Sequence, residues 1–125
     1  MAYGTMLADT FQSSAANTAP VIRDGSSNEI GQFVKSWANH AGGAPPTARA
    51  SFNVSSITRS ATGTYTNVFT NAVADSNFAV AGGCDGTGMT YSPATTVSTT
   101  SFTCYTARAS EGQYDRTYVH FIVTR

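Results

Sequence analysis

Between Thr117 and Thr124 the chain reads TYVHFIVT, and its faces separate at every second residue. Alternation of this kind puts Val119, Phe121 and Val123 on one side of an extended strand and Tyr118, His120 and Ile122 on the other. An amphipathic helix needs apolar residues three and four apart, so a period of two dictates β structure. The same period, carried by β-branched and aromatic residues, predicts strands over Ser51–Ile57, Thr64–Thr70, Asn77–Ala81, Thr95–Thr106 and Thr117–Thr124. SATG, NAVAD, GGCDGTG and ASEGQYD divide them. One window, EIGQFVKSWA, sets apolar residues at helical spacing (Ile30, Phe33, Val34, Trp37), but its Gly-broken, strand-like surroundings favour an extended reading there too.

Punctuation fixes the organisation. Short apolar clusters flank DGSSN, a turn-rich cluster of the kind that closes a β-hairpin. HAGGAPPT removes both helix and ladder options and separates the strand around Trp37 from the strand around Phe52. Residues 1–20 are small and polar, with too little apolar surface to fold alone, and read as an arm. The expectation is an all-β fold: an antiparallel, jelly-roll-like β-sandwich over residues 21–125, carrying an extended N-terminal arm over residues 1–20.

A strand surface is usually kept wet by charge. Here charged residues make up 11% of 125 residues, against about 25% in an ordinary soluble domain, and serine and threonine supply about a quarter of the chain. Threonine suits this role because its branched Cβ favours a strand while its hydroxyl hydrates the outward face. The resulting surface is flat and neutral, suited to protein partners or sugar hydroxyls and poor in the titratable groups of catalysis. One lysine, Lys35, and six scattered arginines balance seven acids, so no basic stripe exists for a nucleic acid. No apolar run approaches the ~20 residues of a membrane span, and MAYGTMLADTF lacks the cationic and apolar regions of a signal peptide. The expectation is synthesis in a cytosol without membrane insertion.

Candidate chemistry is sparse. Asp9, Asp24, Glu29, Asp75, Asp85, Glu111, Asp115, His40 and His120 form no recognised motif, and no cofactor or metal site is expected. Asp85 with Asp115 or Glu111 would make the carboxylate pair of a glycosidase if their loops met. Against this, Asp75, Asp85 and Asp115 have the setting of turn residues whose carboxylates accept backbone hydrogen bonds. GGCDGTG lies between strands and not before a helix, so it is weak as a phosphate cradle. His120 reads as a core or subunit-interface imidazole more readily than as a metal ligand. Trp37, Tyr65 and Tyr118 read as core or interface rings. Tyr91 and Tyr114, placed in loops, are the better contacts for a ligand, with Asp85 beside them. Cys84 and Cys104 lack zinc spacing; they are either a structural disulfide or buried reduced thiols.

The elements VKSWANHAG, RASFNVSSITR, GTYTNVF and ADSNFAV, in this order, resemble a β-sandwich module of tailed-bacteriophage virion proteins, especially tail-fibre and related decorating proteins. That module runs through a Trp-containing strand, an R-x-S-F-N-V-S-S-I strand, a G-x-Y-T-V-N-F strand and a P-D-x-N-Y-A-V strand. MAYGTMLADTFQSS is similar to the N-terminus of phage fibre proteins, and YVHFIVTR to their last strand. The resemblance implies a homotrimeric virion protein of tail-fibre type, assembled on the particle from the host cytoplasm. Its arm, with Tyr3, Met6, Leu7 and Phe11, would contact other virion proteins, and its loops a host surface glycan or protein. A capsid decoration or cement protein is the near alternative and a glycan depolymerase a remote one. Two departures stand out: Val-Asn of the family pattern is Asn67-Val68 here, which reverses the two faces, and Ala74 replaces the proline before Asp75. Asn67 is therefore either buried with partners or set right by a bulge.

Overall fold

The computed structural model describes residues 21–86, 89–108 and 112–125. DGSSN closes a hairpin, as its composition predicts: β1 (Val21–Arg23) pairs antiparallel with β2 (Glu29–Gln32). The Asp24 carboxylate shapes the turn by accepting the backbone N–H groups of Ser26 and Asn28, each at 2.9 Å, and the Asn28 side-chain amide at 3.0 Å. Ile22 and Ile30 on this hairpin stay exposed.

The remaining strands build two antiparallel sheets. Sheet I is made of β5 (Ser56–Ala61), β6 (Thr64–Val68), β8 (Met89–Val97), β9 (Ser101–Arg108) and the short β10 (Gly112–Gln113), with β9 between β6 and β8. Sheet II runs in the order β4 (Thr47–Phe52), β3 (Val34–Ala41), β11 (Val119–Thr124), β7 (Ala79–Cys84). HAGGAPPT makes the β3-to-β4 connection, and the window with helical spacing is strand throughout its paired part.

The two sheets pack face to face through inward rows. Val119, Phe121 and Val123 are buried as the alternation predicts, while Tyr118, His120 and Ile122 are exposed. Phe121 meets Phe102 of β9 edge to face with centroids 4.8 Å apart, and Phe69 and Phe78 extend the cluster. Burying side chains of this size contributes about 1.5–3 kcal/mol each.

Several strand boundaries differ from expectation, two of them for a clear local reason. The run Ser51–Ile57 is not one strand: Asn53 takes φ 55°, and the chain leaves sheet II at Phe52 to enter sheet I at Ser56. Asparagine tolerates this left-handed backbone, and its side chain secures the corner by donating to the Lys35 and Asn71 carbonyls and accepting from the Asn71 N–H. Thr95–Thr106 is a hairpin, not a strand, because the Ser98 hydroxyl accepts the N–H groups of Thr100 and Ser101 and turns β8 into β9. GGCDGTG contributes its first three residues to β7. At the β5–β6 turn Gly63 sits at φ 65°, where a Cβ would meet the Thr106 carbonyl and the Tyr114 N–H; only glycine fits there.

Candidate functional site

Sheet II carries a groove on the face turned away from the core. Its walls follow from strand parity: Ser36, Ala38 and His40 of β3 point inward and are buried, so Trp37 and Asn39 point outward. On β11 the outward set is His120 and Ile122, and on β7 it is Ala81 and Gly83. Register puts Phe52, Trp37, Ile122 and Ala81 in one row across four strands. The next row is Ala50, Asn39, His120 and Gly83. Trp37, Asn39, Ala81, His120 and Ile122 line a groove of about 430 Å³, floored by Ala38, Gly82 and Phe121.

None of the lining residues carries a permanent charge. Trp37 is 37% exposed, Ile122 44% and Phe52 53%, an apolar row on a sheet face where hydroxyls and charges are usual. The small residues of β7 set the groove's depth. A Cβ on Gly83 would come within 2.9 Å of His120 Nε2, so the imidazole lies over that glycine and leans across β7. At the margin Arg49 donates to the Thr117 carbonyl at 2.7 Å, approaches Asn39 Oδ1 at 3.4 Å and stacks on the Tyr118 ring at 4.2 Å.

A second polar cluster sits at one end of the sandwich and is structural in character. Asp115 accepts from Arg59 Nε and Nη2, from the Gly63 N–H at 2.8 Å, and lies 3.0 Å from the Tyr65 hydroxyl. The Arg59 hydrogen bond holds its carboxyl below the ordinary carboxylate range, helped by Gly63 and Tyr65 and opposed by burial. Tyr65 is fully buried, and its single hydroxyl proton is shared between Asp115 and the Gly42 carbonyl at 2.8 Å. Burial, with the neighbouring carboxylate, pushes its pKa up to about 12. His40 is also fully buried, edge-on to the Tyr65 ring at 5.1 Å, with Nδ1 on the Ala41 carbonyl and Nε2 unpartnered. Burial pulls its pKa down, so the neutral imidazole is favoured.

The residues singled out in the sequence are scattered between these places. Asp115 is occupied by Arg59 and Gly63, Asp85 accepts the Tyr118 N–H at 3.0 Å, and Asp75 accepts the Asn77 N–H and pairs with Arg125. Each carboxylate therefore has the backbone-accepting role of the turn reading. Among the described residues no three His, Cys, Asp or Glu side chains are placed to hold a metal. Tyr91 is not in a loop: it lies in β8, paired with Thr106, and packs its ring where a Cβ on Gly82 would stand, with its hydroxyl buried. Burial raises its pKa strongly, so this ring is core material and not a contact presented to a ligand. Tyr114 does lie in an exposed loop, 46% exposed beneath the Arg116 guanidinium. Tyr3, Met6, Leu7, Phe11 and Glu111 lie outside the described residues.

Cys84 and Cys104 are thiols with no disulfide between them. They point inward from opposite sheets, Cys84 beside Val119 and Cys104 in the buried row of β9. Burial raises both thiol pKa values. Of the two readings left open for Asn67, burial is the one realised. It is fully buried in a β6 ladder that runs unbroken against β9, donates weakly to Cys104 Sγ at 3.4 Å, and leaves Oδ1 unpartnered.

Sequence reasoning placed Trp37 and His120 singly and missed that they share a groove. The signal was present in the alternation of β3 and β11, but the register that aligns them is a tertiary property. No family model matches the chain, and no curated protein or solved structure is significantly similar to it.

Proposed function

We propose that the chain is a structural protein of a bacteriophage particle, homotrimeric and of tail-fibre type, that acts through surface contact. The observation that carries this reading is the uncharged row Phe52, Trp37, Ile122 and Ala81 on the outer face of sheet II. Exposed apolar surface of this kind is the mark of a protein meant to meet another surface. The second support is chemical: Asp75, Asp85 and Asp115 are engaged with backbone N–H groups and arginines, so the sandwich invests these charges in its own turns. The third is the resemblance of four consecutive elements to the phage module. In this reading residues 1–20 fasten the protein to the particle, and the loop bearing Tyr114, together with Asp85, faces the host.

The experiment is cryo-electron microscopy of the purified particle combined with counting of this chain by quantitative mass spectrometry. A few trimers at the tail are expected. Hundreds of copies on the icosahedral shell would replace the tail-fibre role with that of a capsid decoration protein, and absence from the particle would overturn the virion reading.

A further inference from the structure

Residues 114–118, Tyr-Asp-Arg-Thr-Tyr, belong to no strand, yet the sandwich grips every one of them. The Tyr114 N–H donates to the Thr106 carbonyl at 3.0 Å, and the Tyr114 carbonyl accepts the Thr106 hydroxyl at 2.6 Å. Asp115 is held by Arg59, Gly63 and Tyr65; the Arg116 carbonyl accepts the Gly42 N–H and the Thr117 carbonyl accepts Arg49, both at 2.7 Å. Tyr118 donates its N–H to the Asp85 carboxylate at 3.0 Å, and its carbonyl accepts the Asp85 N–H at 3.1 Å. Anchoring of this density makes an irregular segment rigid, which is the preorganisation a recognition surface needs.

The segment carries two tyrosine–arginine stacks. The Arg116 guanidinium lies 4.4 Å over the Tyr114 ring and the Arg49 guanidinium 4.2 Å over the Tyr118 ring, while the two tyrosines stay 46% and 49% exposed. Arg59 and Arg125 are neutralised by Asp115 and Asp75, but neither Arg49 nor Arg116 has an ion-pair partner among the described residues. Arg116 Nε lacks any acceptor. Two cations against the one carboxylate of Asp85 leave this segment positive in a chain whose formal net charge is zero.

We propose that residues 114–118 and Arg49 bind an acidic polysaccharide, with the two guanidiniums taking sugar carboxylates and the two tyrosine rings packing on the sugar rings. The proposal rests on the surface-contact reading of the preceding section and gives the chemical class of what the loop bearing Tyr114 meets. A planar guanidinium matches a carboxylate with paired N–H donors, and a tyrosine ring offers a flat apolar face with a polar tip. Tyrosine and arginine are also the side chains that dominate the energy of contact surfaces. Each stack supplies one cation and one ring, on either side of Thr117, and a repeated pair of this kind suits a ligand that repeats.

The test is binding of the purified full-length protein to polygalacturonate, hyaluronate and alginate by titration calorimetry. The expected result is binding to at least one of them that weakens several-fold as salt is raised. Methyl esterification of the polymer, which keeps its rings and removes its charge, should abolish binding. Arg116→Gln and Arg49→Gln should each weaken it several-fold, the scale of an exposed ion pair. Arg116→Gln is the cleaner variant, because that guanidinium donates no hydrogen bond to the described fold, and its melting temperature should match the parent's. Tyr114→Leu should weaken binding and leave its salt dependence in place. Failure to bind any of the three polymers would overturn the proposal, as would binding that survives esterification or both arginine substitutions together. Equal binding of poly-glutamate would overturn the sugar assignment, since the segment would then read charge alone. Absence of the chain from phage particles would leave binding by the purified protein untouched, so the two readings fail separately.

Discussion

Asn67 offers the sharpest test of how this core is balanced. It stands on the inward side of β6 between Tyr65 and Phe69, with none of its surface exposed. Its amide nitrogen has one weak acceptor, Cys104 Sγ at 3.4 Å, and its oxygen has none. A buried polar atom left unpaired costs about 1–3 kcal/mol, while a neutral hydrogen bond contributes about 0.5–1.5 kcal/mol, and one to a thiol sits at the low end. Asn67→Val removes the orphan oxygen together with the weak bond and supplies a β-branched side chain to a central strand. The balance favours the variant by about 1 kcal/mol, a rise of a few degrees in melting temperature for a domain of this size. Denaturant unfolding of both proteins, with m-values compared, measures it. Destabilisation by Asn67→Val with an unchanged m-value would refute the reasoning. It would mean that Oδ1 has a partner in solution, such as a water held between Asn67 and the Tyr91 hydroxyl, itself buried and unpaired.

Three further outcomes follow from the same geometry. Tyr65→Phe keeps the buried ring but strips a proton shared by Gly42 and Asp115, and should cost about 1–2 kcal/mol in thermal or denaturant unfolding; loss below ~0.5 kcal/mol would remove the cluster from the stability argument. Stability should peak in a defined pH window. His40 is shifted down from 6.5, so the unfolded chain binds more protons below that value and stability falls as pH drops beneath about 6.5. Tyr65 is shifted up from 10 to about 12, so the folded chain holds its proton longer and stability falls as pH rises above about 10. Unfolding midpoints measured across pH should show both limbs, and His40→Phe should flatten the acid limb between about pH 5 and 7. Finally, Gly82→Ala should be far more damaging than Gly83→Ala. The first Cβ meets the His120 carbonyl and the Tyr91 ring at 2.6 Å, whereas the second meets a movable imidazole at 2.9 Å. Overpacking of the first kind costs about 1–3 kcal/mol, and equal melting temperatures for the two variants would contradict this assignment.

The fold was legible wherever two signals agreed. Val119, Phe121 and Val123 are buried because alternation and β-branching point the same way, and DGSSN turns because Asp24 accepts three local donors. What escaped reading depends on partners distant in sequence. Ser51–Ile57 has continuous strand character, and only the sandwich reveals that Asn53 hands the chain from one sheet to the other, held by Lys35 and Asn71. Tyr91 sits beside a Gly-rich connection and reads as a loop residue, yet a Cβ-less Gly82 on another strand gives its ring a place in the core. The groove escaped for the same reason: Trp37, His120 and Ala81 lie on three strands whose alignment no local window contains.

A division of labour ties these features together. The end of the sandwich spends its polar groups on itself, since Arg59, Gly63, Tyr65 and Asp115 bind strands β5 and β6 to the segment before β11. That network fixes β11 from one side while the buried Val119, Phe121 and Val123 fix it from below. With its inward face and its lead-in segment both secured, the outward residues of β11 are released from any duty to the fold. Ile122 and His120 can then vary in polarity without loss of the sandwich, and an isoleucine left 44% exposed in the centre of a charge-free row supports the surface-contact role proposed above. The same logic separates the two kinds of variant. Substitutions at Tyr65 or Asp115 should lower stability and leave contacts of the outer face of sheet II alone. A polar residue at Ile122 should leave the stability of the isolated domain within about 0.5 kcal/mol, as exposed positions usually do, and change what the protein meets.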